Sequence, residues 1–392
     1  MTFSELGLYP ETIAALTRQG YTEPTPIQEQ SIPTILAGKD LMAAAQTGTG
    51  KTAGFTLPIL DRLKSNERAK ANTARALILT PTRELAAQVG ESVANLSAGQ
   101  PLNYAVVFGG VKINPQMMKL RKGVDILIAT PGRLLDLYTQ NAIRFPKLEV
   151  LVIDEADRML DMGFIHDIKK IIKLLPAKRQ TLMFSATFSD GIRTLAKGLL
   201  KSPVEISVAP PNAAAEPIEQ TMYAVQKSEK LRMLLRLLHS LNEPQVLVFS
   251  RTKQGANRLV KQLDKAGFSA AAIHSAKSQG ARTRALAEFK SGKVQVLIAT
   301  DIVARGIDIE KLPYVINYDL PQVAEDYVHR IGRTGRAGQV GHAISLVTDE
   351  ELAFLKAIEK LIGQPIEQRK LEGFADVELN GTTPAPTKSQ RS

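Results

Sequence analysis

Leu148-Glu-Val-Leu-Val-Ile-Asp-Glu-Ala-Asp157 sets four apolar residues, Val150 to Ile153, directly against three carboxylates, Asp154, Glu155 and Asp157. A short apolar run of this kind reads as a strand buried on both faces of a parallel sheet. Ligands of open α/β sheets lie at the carboxyl ends of the strands, so these acids point to a site that handles a cation or a proton. Upstream, Asp40-Leu-Met-Ala-Ala-Ala45 leads into Gln46-Thr-Gly-Thr-Gly-Lys-Thr52, a strand-like run entering a Gly-rich loop. Backbone N–H groups of such a loop cradle phosphates, Lys51 reaches the outer phosphates, and the Thr52 hydroxyl binds Mg²⁺. Asp154 would hold that Mg²⁺ from the opposite strand. Taken singly, the loop also reads as a tight turn and the acids as a solvated helix start; together they select a nucleoside triphosphate.

The chain has 392 residues, 44% of them hydrophobic, enough for large cores and for about two or three domains. With 50 Lys and Arg against 39 Asp and Glu the formal charge is +11, which favours a polyanionic partner. No cysteine occurs, which excludes disulfides, thiolate metal sites and cysteine nucleophiles. Met1-Thr-Phe-Ser-Glu-Leu-Gly7 lacks a basic segment followed by an apolar core, and no long apolar span follows. A cytoplasmic protein that engages no membrane is the expectation.

Ala45-Gln-Thr-Gly-Thr-Gly-Lys-Thr52 together with Asp154-Glu-Ala-Asp157 resembles the DEAD-box RNA helicase family, where Ala in the first loop position is usual. Gly20-Tyr-Thr-Glu-Pro-Thr-Pro-Ile-Gln28, with Phe3 upstream, is similar to the family's adenine-reading Q motif. The chemistry agrees: the Gln28 amide can pair with an adenine edge and the Tyr21 ring can stack on its face. Preference for ATP over GTP follows. Alternating β and α signals come next, at Ala76–Thr80, Tyr104–Phe108, Asp125–Thr130, Val150–Ile153 and Thr181–Phe184, as in a doubly wound sheet. The loops after them, Pro81-Thr-Arg-Glu84, Gly109-Gly110, Thr130-Pro-Gly-Arg133 and Ser185-Ala-Thr187, carry hydroxyls, arginines and exposed N–H groups suited to a phosphodiester backbone. They resemble the family's Ia, GG, Ib and SAT motifs. The first three imply RNA contacts through Thr82, Arg83, Gly110, Thr130 and Arg133, and the last implies coupling of ATP to RNA through Ser185 and Thr187 with Asp157.

Ser207-Val-Ala-Pro-Pro-Asn-Ala-Ala-Ala-Glu-Pro217 is rich in prolines and small residues and reads as a linker. Beyond it the chain repeats itself: Leu77–Thr80 is echoed by Leu247–Ser250, and Asp125–Thr130 by Gln295–Thr300, at one common shift. The expectation is α/β, two tandem RecA-like domains, each a mostly parallel sheet flanked by helices. The first spans 1–207 with the adenine-reading segment, the linker 208–217, the second domain 218–370, and a disordered tail 371–392. The second copy lacks a Gly-Lys-Thr loop and is not expected to bind a nucleotide by itself.

What it carries is Thr300-Asp-Ile-Val-Ala-Arg-Gly-Ile-Asp308 and Tyr327-Val-His-Arg-Ile-Gly-Arg-Thr-Gly-Arg336. Arginines at 330, 333 and 336 recur at helix-like spacing, which in isolation reads as a solvated basic face. Arginine fingers stabilise γ-phosphate charge, and a domain without a phosphate loop can supply them. Resemblance to the family's motif VI implies Arg333 and Arg336 as fingers and His329 in interdomain coupling. It also places Asp308 near the nucleotide ribose and Thr300, Gln279 and Arg282 among RNA contacts. In His274-Ser-Ala-Lys-Ser-Gln-Gly-Ala-Arg282 the sequence departs from the family, with Ser275 where Gly is usual and Ala276 after it. Met159–His166 and Val107–Gln116 look most like the bacterial RhlE-type subgroup.

The implied mechanism holds ATP·Mg²⁺ on the first domain through Gln46, Thr47, Gly48, Thr49, Gly50, Lys51 and Thr52, with Tyr21 and Gln28 at adenine. Glu155 is the general base, Asp154 lies on the metal side, and Arg333 and Arg336 arrive on closure. RNA is bound by its backbone without sequence preference, and the 2′-OH excludes DNA. The chain is expected to be a monomer, with ribosome-assembly or RNA-decay proteins as partners. An ATP-dependent RNA clamp that separates no strands needs the same motifs. A metabolic phosphotransferase leaves the second domain's arginines unexplained, and a DNA translocase differs in its activator.

Overall fold

The structure, a computed structural model, describes residues 2–45, 49–64, 67–186, 188–208, 218–241, 245–301, 309, 312–335 and 340–380. The chain divides into two compact units, 1–213 and 214–392.

In the first unit seven strands form one sheet: β1 (Leu41–Ala44), β2 (Ala74–Leu79), β3 (Tyr104–Val107), β4 (Val124–Ala129), β5 (Val150–Ile153), β6 (Gln180–Ser185) and β7 (Val204–Ser207). Their order is β3-β4-β2-β5-β6-β1-β7, and every pairing is parallel. Parallel strands need helical crossovers, so both faces are covered and the strands carry apolar side chains on both sides. Val150 and Val152 enter one core with Ile78, Ile128 and Phe184. Leu151 and Ile153 enter the other with Leu77, Leu127 and Met183. Alternation of side chains along a strand accounts for this sorting.

The second unit has β8 (Glu219–Ala224), β9 (Val246–Phe249), β10 (Ala270–Ile273), β11 (Val296–Ala299), β12 (Tyr314–Asn317), β13 (His342–Val347) and β14 (Glu367–Gln368). They lie in the order β10-β11-β9-β12-β13-β8-β14, which repeats the first sheet strand for strand. The echoed sequences therefore sit at equivalent places, β2 with β9 and β4 with β11. Register agrees, since Ala76 pairs with Ile126 and Val246 with Val296. Both sheets match the expected tandem RecA-like architecture.

Residues 371–380, expected within the tail, have no regular secondary structure yet rest on the second unit. Arg232 lies over the Phe374 ring, Leu371 and Phe374 pack on a core cluster, and Asn380 N–H donates to Asp349 Oδ1 at 2.6 Å. Residues 381–392, and 209–217 of the expected linker, lie outside the described residues. Among the described residues no helix is long and apolar enough to cross a membrane.

Candidate functional site

The carboxyl ends of β1, β5 and β6 bring the first set of residues together. Lys51 opens the helix Lys51–Lys64 and is buried at 7% exposure. Gly50, just before it, has φ 88, and a Cβ there would stand 2.5 Å from Gln28 Nε2. Only glycine meets both conditions without strain. Thr25 and Gln28 hold this loop: Thr25 Oγ1 donates to Thr49 O at 2.7 Å and Gln28 Nε2 to Gly50 O at 3.0 Å. Gln28 Oε1 in turn accepts from Thr25 N–H at 2.9 Å. The amide is thus fully buried against the loop, with one hydrogen and one lone-pair direction left over in its inventory. Tyr21 is 39% exposed and meets Phe3 edge-on. Gln46, Thr47 and Gly48 lie outside the described residues.

Asp154 follows β5, is 3% exposed, and accepts from Glu155 N–H at 3.0 Å. Burial pushes its carboxyl up to about 6, with Lys51 pulling it down and Glu155 and Asp157 adding to the rise. A buried acid held that high, beside a buried lysine and a loop that a Cβ would fill, fits a site completed by phosphate and a divalent cation. Among the described residues no group of three or more His, Cys, Asp or Glu could hold a metal ion. Thr52, half-buried, follows Lys51.

Glu155 adopts a left-handed backbone, φ 52 and ψ 55, as the N-cap of the helix Ala156–Asp161. Such a conformation is uncommon for a residue other than glycine and marks a functional position. Arg158, one turn on, sets Nη1 3.1 Å from Glu155 Oε2. Asp157 Oδ2 accepts from Ala186 N–H at 2.9 Å, tying the acid cluster to the end of β6. Ser185 is fully buried there and its Oγ has no partner among the described residues. Thr187 lies outside the described residues.

A second group gathers at the carboxyl ends of β2, β3 and β4. Thr82 caps the helix Arg83–Leu96, accepting from Leu85 N–H. Gly110 has φ 75, and a Cβ there would fall 2.0 Å from Arg83 Nη1. Arg133, 8% exposed, donates from Nη2 to Val111 O at 2.9 Å and so fixes the glycine loop. Thr130 N–H donates to Val107 O at 3.2 Å.

In the second unit Thr300 N–H donates likewise to Ile273 O, at 3.3 Å. Arg282 Nη2 donates to Gln279 Oε1 at 2.8 Å. Ser275 and Ala276 are exposed in a turn closed by Lys277 N–H to His274 O at 3.0 Å. Ser275 is not among the positive-φ residues, so the departure from Gly needs no backbone strain. The helix Ala324–Ile331 stops at Gly332, so Arg330 lies in the helix and Arg333 beyond it. His329 is half-buried in its last turn. Arg330 is a buried anchor: it pairs with Asp301 through Nε (2.5 Å) and Nη2 (2.8 Å), and Nη1 donates to Asn317 Oδ1 at 3.0 Å. Arg333, 6% exposed, lies beyond the helix. Asp308 and Arg336 lie outside the described residues. The sequence assigns no role to Thr25 or Arg158 and sets Arg330 on a solvated face; only the capping pattern Thr25-Pro-Ile-Gln28 carries a legible signal for one of them.

A phosphate loop on one RecA-like sheet, with a second sheet of the same topology that has none, defines a two-domain ATPase of the helicase class. Family models agree, with DEAD/DEAH box helicase matching residues 25–195 and helicase conserved C-terminal domain matching 229–338. The ATP-dependent RNA helicase CshA of Listeria monocytogenes is 45% identical over 358 residues, covering 91% of this chain and 68% of CshA. The DEAD-box ATP-dependent RNA helicase RhpA of Helicobacter pylori is 41% identical, covering 93% and 73%. Among solved structures, S. cerevisiae Dbp5 bound to RNA and ADP BeF3 superposes with TM-score 0.83 at 32% identity, covering 94% of this chain and 95% of Dbp5. A DEAD box protein of Methanococcus jannaschii gives TM-score 0.54 at 39% identity, covering 94% and 99%. The chain belongs to the DEAD-box family of ATP-dependent RNA helicases.

Proposed function

We propose that the chain hydrolyses ATP when RNA brings its two units together, and that it then separates short duplexes locally or remodels RNA–protein complexes. The observation that carries this reading is the division of the site: Lys51, Asp154 and Glu155 belong to the first unit, while Arg333 belongs to a unit without a phosphate loop. Neither unit holds the full set.

In this mechanism Tyr21 stacks on adenine and Gln28 pairs with its edge, while Gln46 to Thr52 wrap the phosphates. Thr52 and Asp154 would hold Mg²⁺, which when bound neutralises charge on the outer phosphates. Glu155 takes the proton from the attacking water, and Lys51, Arg333 and Arg336 balance the charge that develops. Asp308 meets the ribose. Asp157, Ser185, Thr187 and His329 pass the state of the nucleotide to the RNA-binding loops. RNA phosphates are held by Thr82, Arg83, Gly110, Thr130 and Arg133 on one unit and by Gln279, Arg282 and Thr300 on the other. Discrimination from DNA rests on the 2′-OH. We further infer a cytoplasmic monomer serving ribosome assembly or RNA decay. An RhlE-type place in the family is inferred from Met159–His166 and Val107–Gln116, although the relatives named above are CshA and RhpA.

The test is steady-state ATP hydrolysis with no nucleic acid, with single-stranded RNA and with DNA of the same sequence, at low and moderate salt. Stimulation by RNA alone supports the reading, and equal rates in all three would sink it. A strand-displacement assay then separates a helicase from an RNA clamp.

A further inference from the structure

We propose that the first unit carries a second ligand site, a cationic cavity at the amino-terminal ends of β2, β5 and β6 that binds a small anion bearing several phosphate groups. The cavity measures about 930 Å³, within the span usual for small-molecule sites. Its walls are the segment 67–70, Arg75 at the entry to β2, 146–149 at the entry to β5, and 176–180 at the entry to β6. Seven lysines and arginines line it against two glutamates. Glu149 and Asp154 are separated by the length of β5, about 16 Å at roughly 3.3 Å per residue. This is therefore not the phosphate-loop site.

Two arginines make the cavity more than a charged crevice. Arg75 is 4% exposed; Nε meets Glu149 Oε1 at 2.9 Å, Nη1 meets Asp125 Oδ1 at 3.1 Å and Leu63 O at 2.9 Å, and Nη2 has no partner among the described residues. Arg179 donates from Nη1 to Pro176 O at 2.8 Å, and its buried Nε has no partner among the described residues either. Burial pulls the Arg179 guanidinium below its ordinary range, with Asp40 opposing. Desolvated guanidinium groups with donors to spare are suited to planar, multidentate oxyanions.

The repeat within the chain shows that the fold does not require these charges. Ala76 pairs with Ile126 and Val150, as Val246 pairs with Val296 and Tyr314. One residue earlier on each strand, Arg75, Asp125 and Glu149 of the first unit correspond to Gln245, Gln295 and Pro313 of the second. The same sheet closes with neutral residues there, and burying ions is unfavourable against neutral packing. What the first unit gains from the charged version is the cavity's inner wall. The loops assigned above to RNA leave the opposite ends of the strands, so a compact phosphorylated molecule is the ligand, not the RNA backbone.

The probe is inorganic tripolyphosphate, titrated calorimetrically into the full chain already saturated with ADP and Mg²⁺, which fills the phosphate loop. Saturable one-to-one binding is expected, weakened at least tenfold in Arg179→Gln and in Lys178→Gln, with ADP affinity unchanged in both. Neither substituted side chain pairs with a carboxylate within 4 Å among the described residues, so both variants are expected to keep the fold, which unchanged ADP affinity would verify. Absence of saturable heat, or equal binding by wild type and both variants, overturns the site. Displacement of tripolyphosphate by single-stranded RNA overturns the assignment of a small anion as ligand.

Discussion

Arg158 and Glu155 form a buried pair, with Arg158 Nη1 3.1 Å from Glu155 Oε2 and side-chain exposures of 5% and 12%. Glu155 leaves the sheet in a left-handed turn, so its backbone alone does not determine where the carboxylate points. Arg158 holds one oxygen, which in the proposed mechanism leaves the other to receive the proton. Misplacing a reacting group by an ångström reduces rate by about 10²-fold. Arg158→Met is therefore expected to lower kcat toward that extent while ATP binding stays near wild type, and Arg158→Lys to recover part of the loss. Glu155→Gln, by contrast, is expected to keep ATP and RNA binding and to abolish turnover. Unchanged kcat in Arg158→Met would remove the positioning role; turnover retained by Glu155→Gln would remove the general-base role.

Stability of the metal-free protein should fall as pH rises through the acidic range. Burial holds Asp154 at about 6 against an ordinary 3.8, so the folded form keeps a proton that the unfolded chain has lost. The stability this contributes is full below the unfolded value and is gone above the folded one, a difference of about 3 kcal/mol. Asp61, buried and also raised by desolvation against hydrogen bonds from Thr12 and Tyr9, acts in the same direction. Urea unfolding in a chelator at pH 5 and pH 7 tests this. Asp154→Asn should flatten the slope and stabilise the metal-free chain at pH 7; an unchanged slope would show that the acid titrates normally.

Runs such as Val150–Ile153 and Leu247–Phe249 are legible in the sequence because strands buried on both faces leave no polar residue to break them. The common shift between the halves is legible for the same reason, and the two identical strand orders follow from it. By contrast β7 has one buried residue in four and β14 is two residues long; edge strands with little burial carry no such pattern. At the site, glycine, lysine and acid spacings expose the phosphate loop, since its chemistry is local. Arg158, Arg330 and Lys230 read as ordinary surface charges. Only tertiary burial distinguishes them, and periodicity does not record it. The spacing of Arg330 and Arg333 misleads in the opposite sense, because the helix ends at Gly332, between them.

Gly110 allows Arg83 to lie across the loop it shares with Arg133. A Cβ at 110 would overlap the Arg83 guanidinium, and a left-handed backbone adds about 1–2 kcal/mol of strain for any L side chain. The guanidinium is the end of a flexible side chain and can move aside, so Gly110→Ala should fold with only that modest loss. Its RNA affinity should drop several-fold while ATP affinity in the absence of RNA holds. Fluorescence anisotropy with labelled single-stranded RNA reads the first and nucleotide titration the second. Equal RNA affinity would mean that Arg83 does not contact the backbone.

Lys230 is to the second unit what Lys51 is to the first, the opening residue of the helix after the equivalent strand. Where Lys51 faces a phosphate loop, Lys230 is neutralised by protein: Nζ lies 2.7 Å from Glu351 Oε2 and 3.4 Å from Asp319 Oδ1, and donates to Tyr318 O at 2.7 Å. Asp319 itself follows β12 where Glu155 follows β5. The second unit thus satisfies internally, at Lys230, charge that a nucleotide would satisfy in the first, and is expected to bind no phosphate there. Removing one partner of such a buried pair costs about 3–5 kcal/mol because the other charge is left behind. Arg251, 2.5 Å from Glu351 Oε1, retains part of the compensation, which sets the expectation for Lys230→Met at the lower end. Urea unfolding of the full chain should show this loss, while ADP affinity, which depends on the first unit, stays as in wild type. A variant as stable as wild type would mean that the network is a solvated surface cluster and that some other feature closes the second sheet to phosphate.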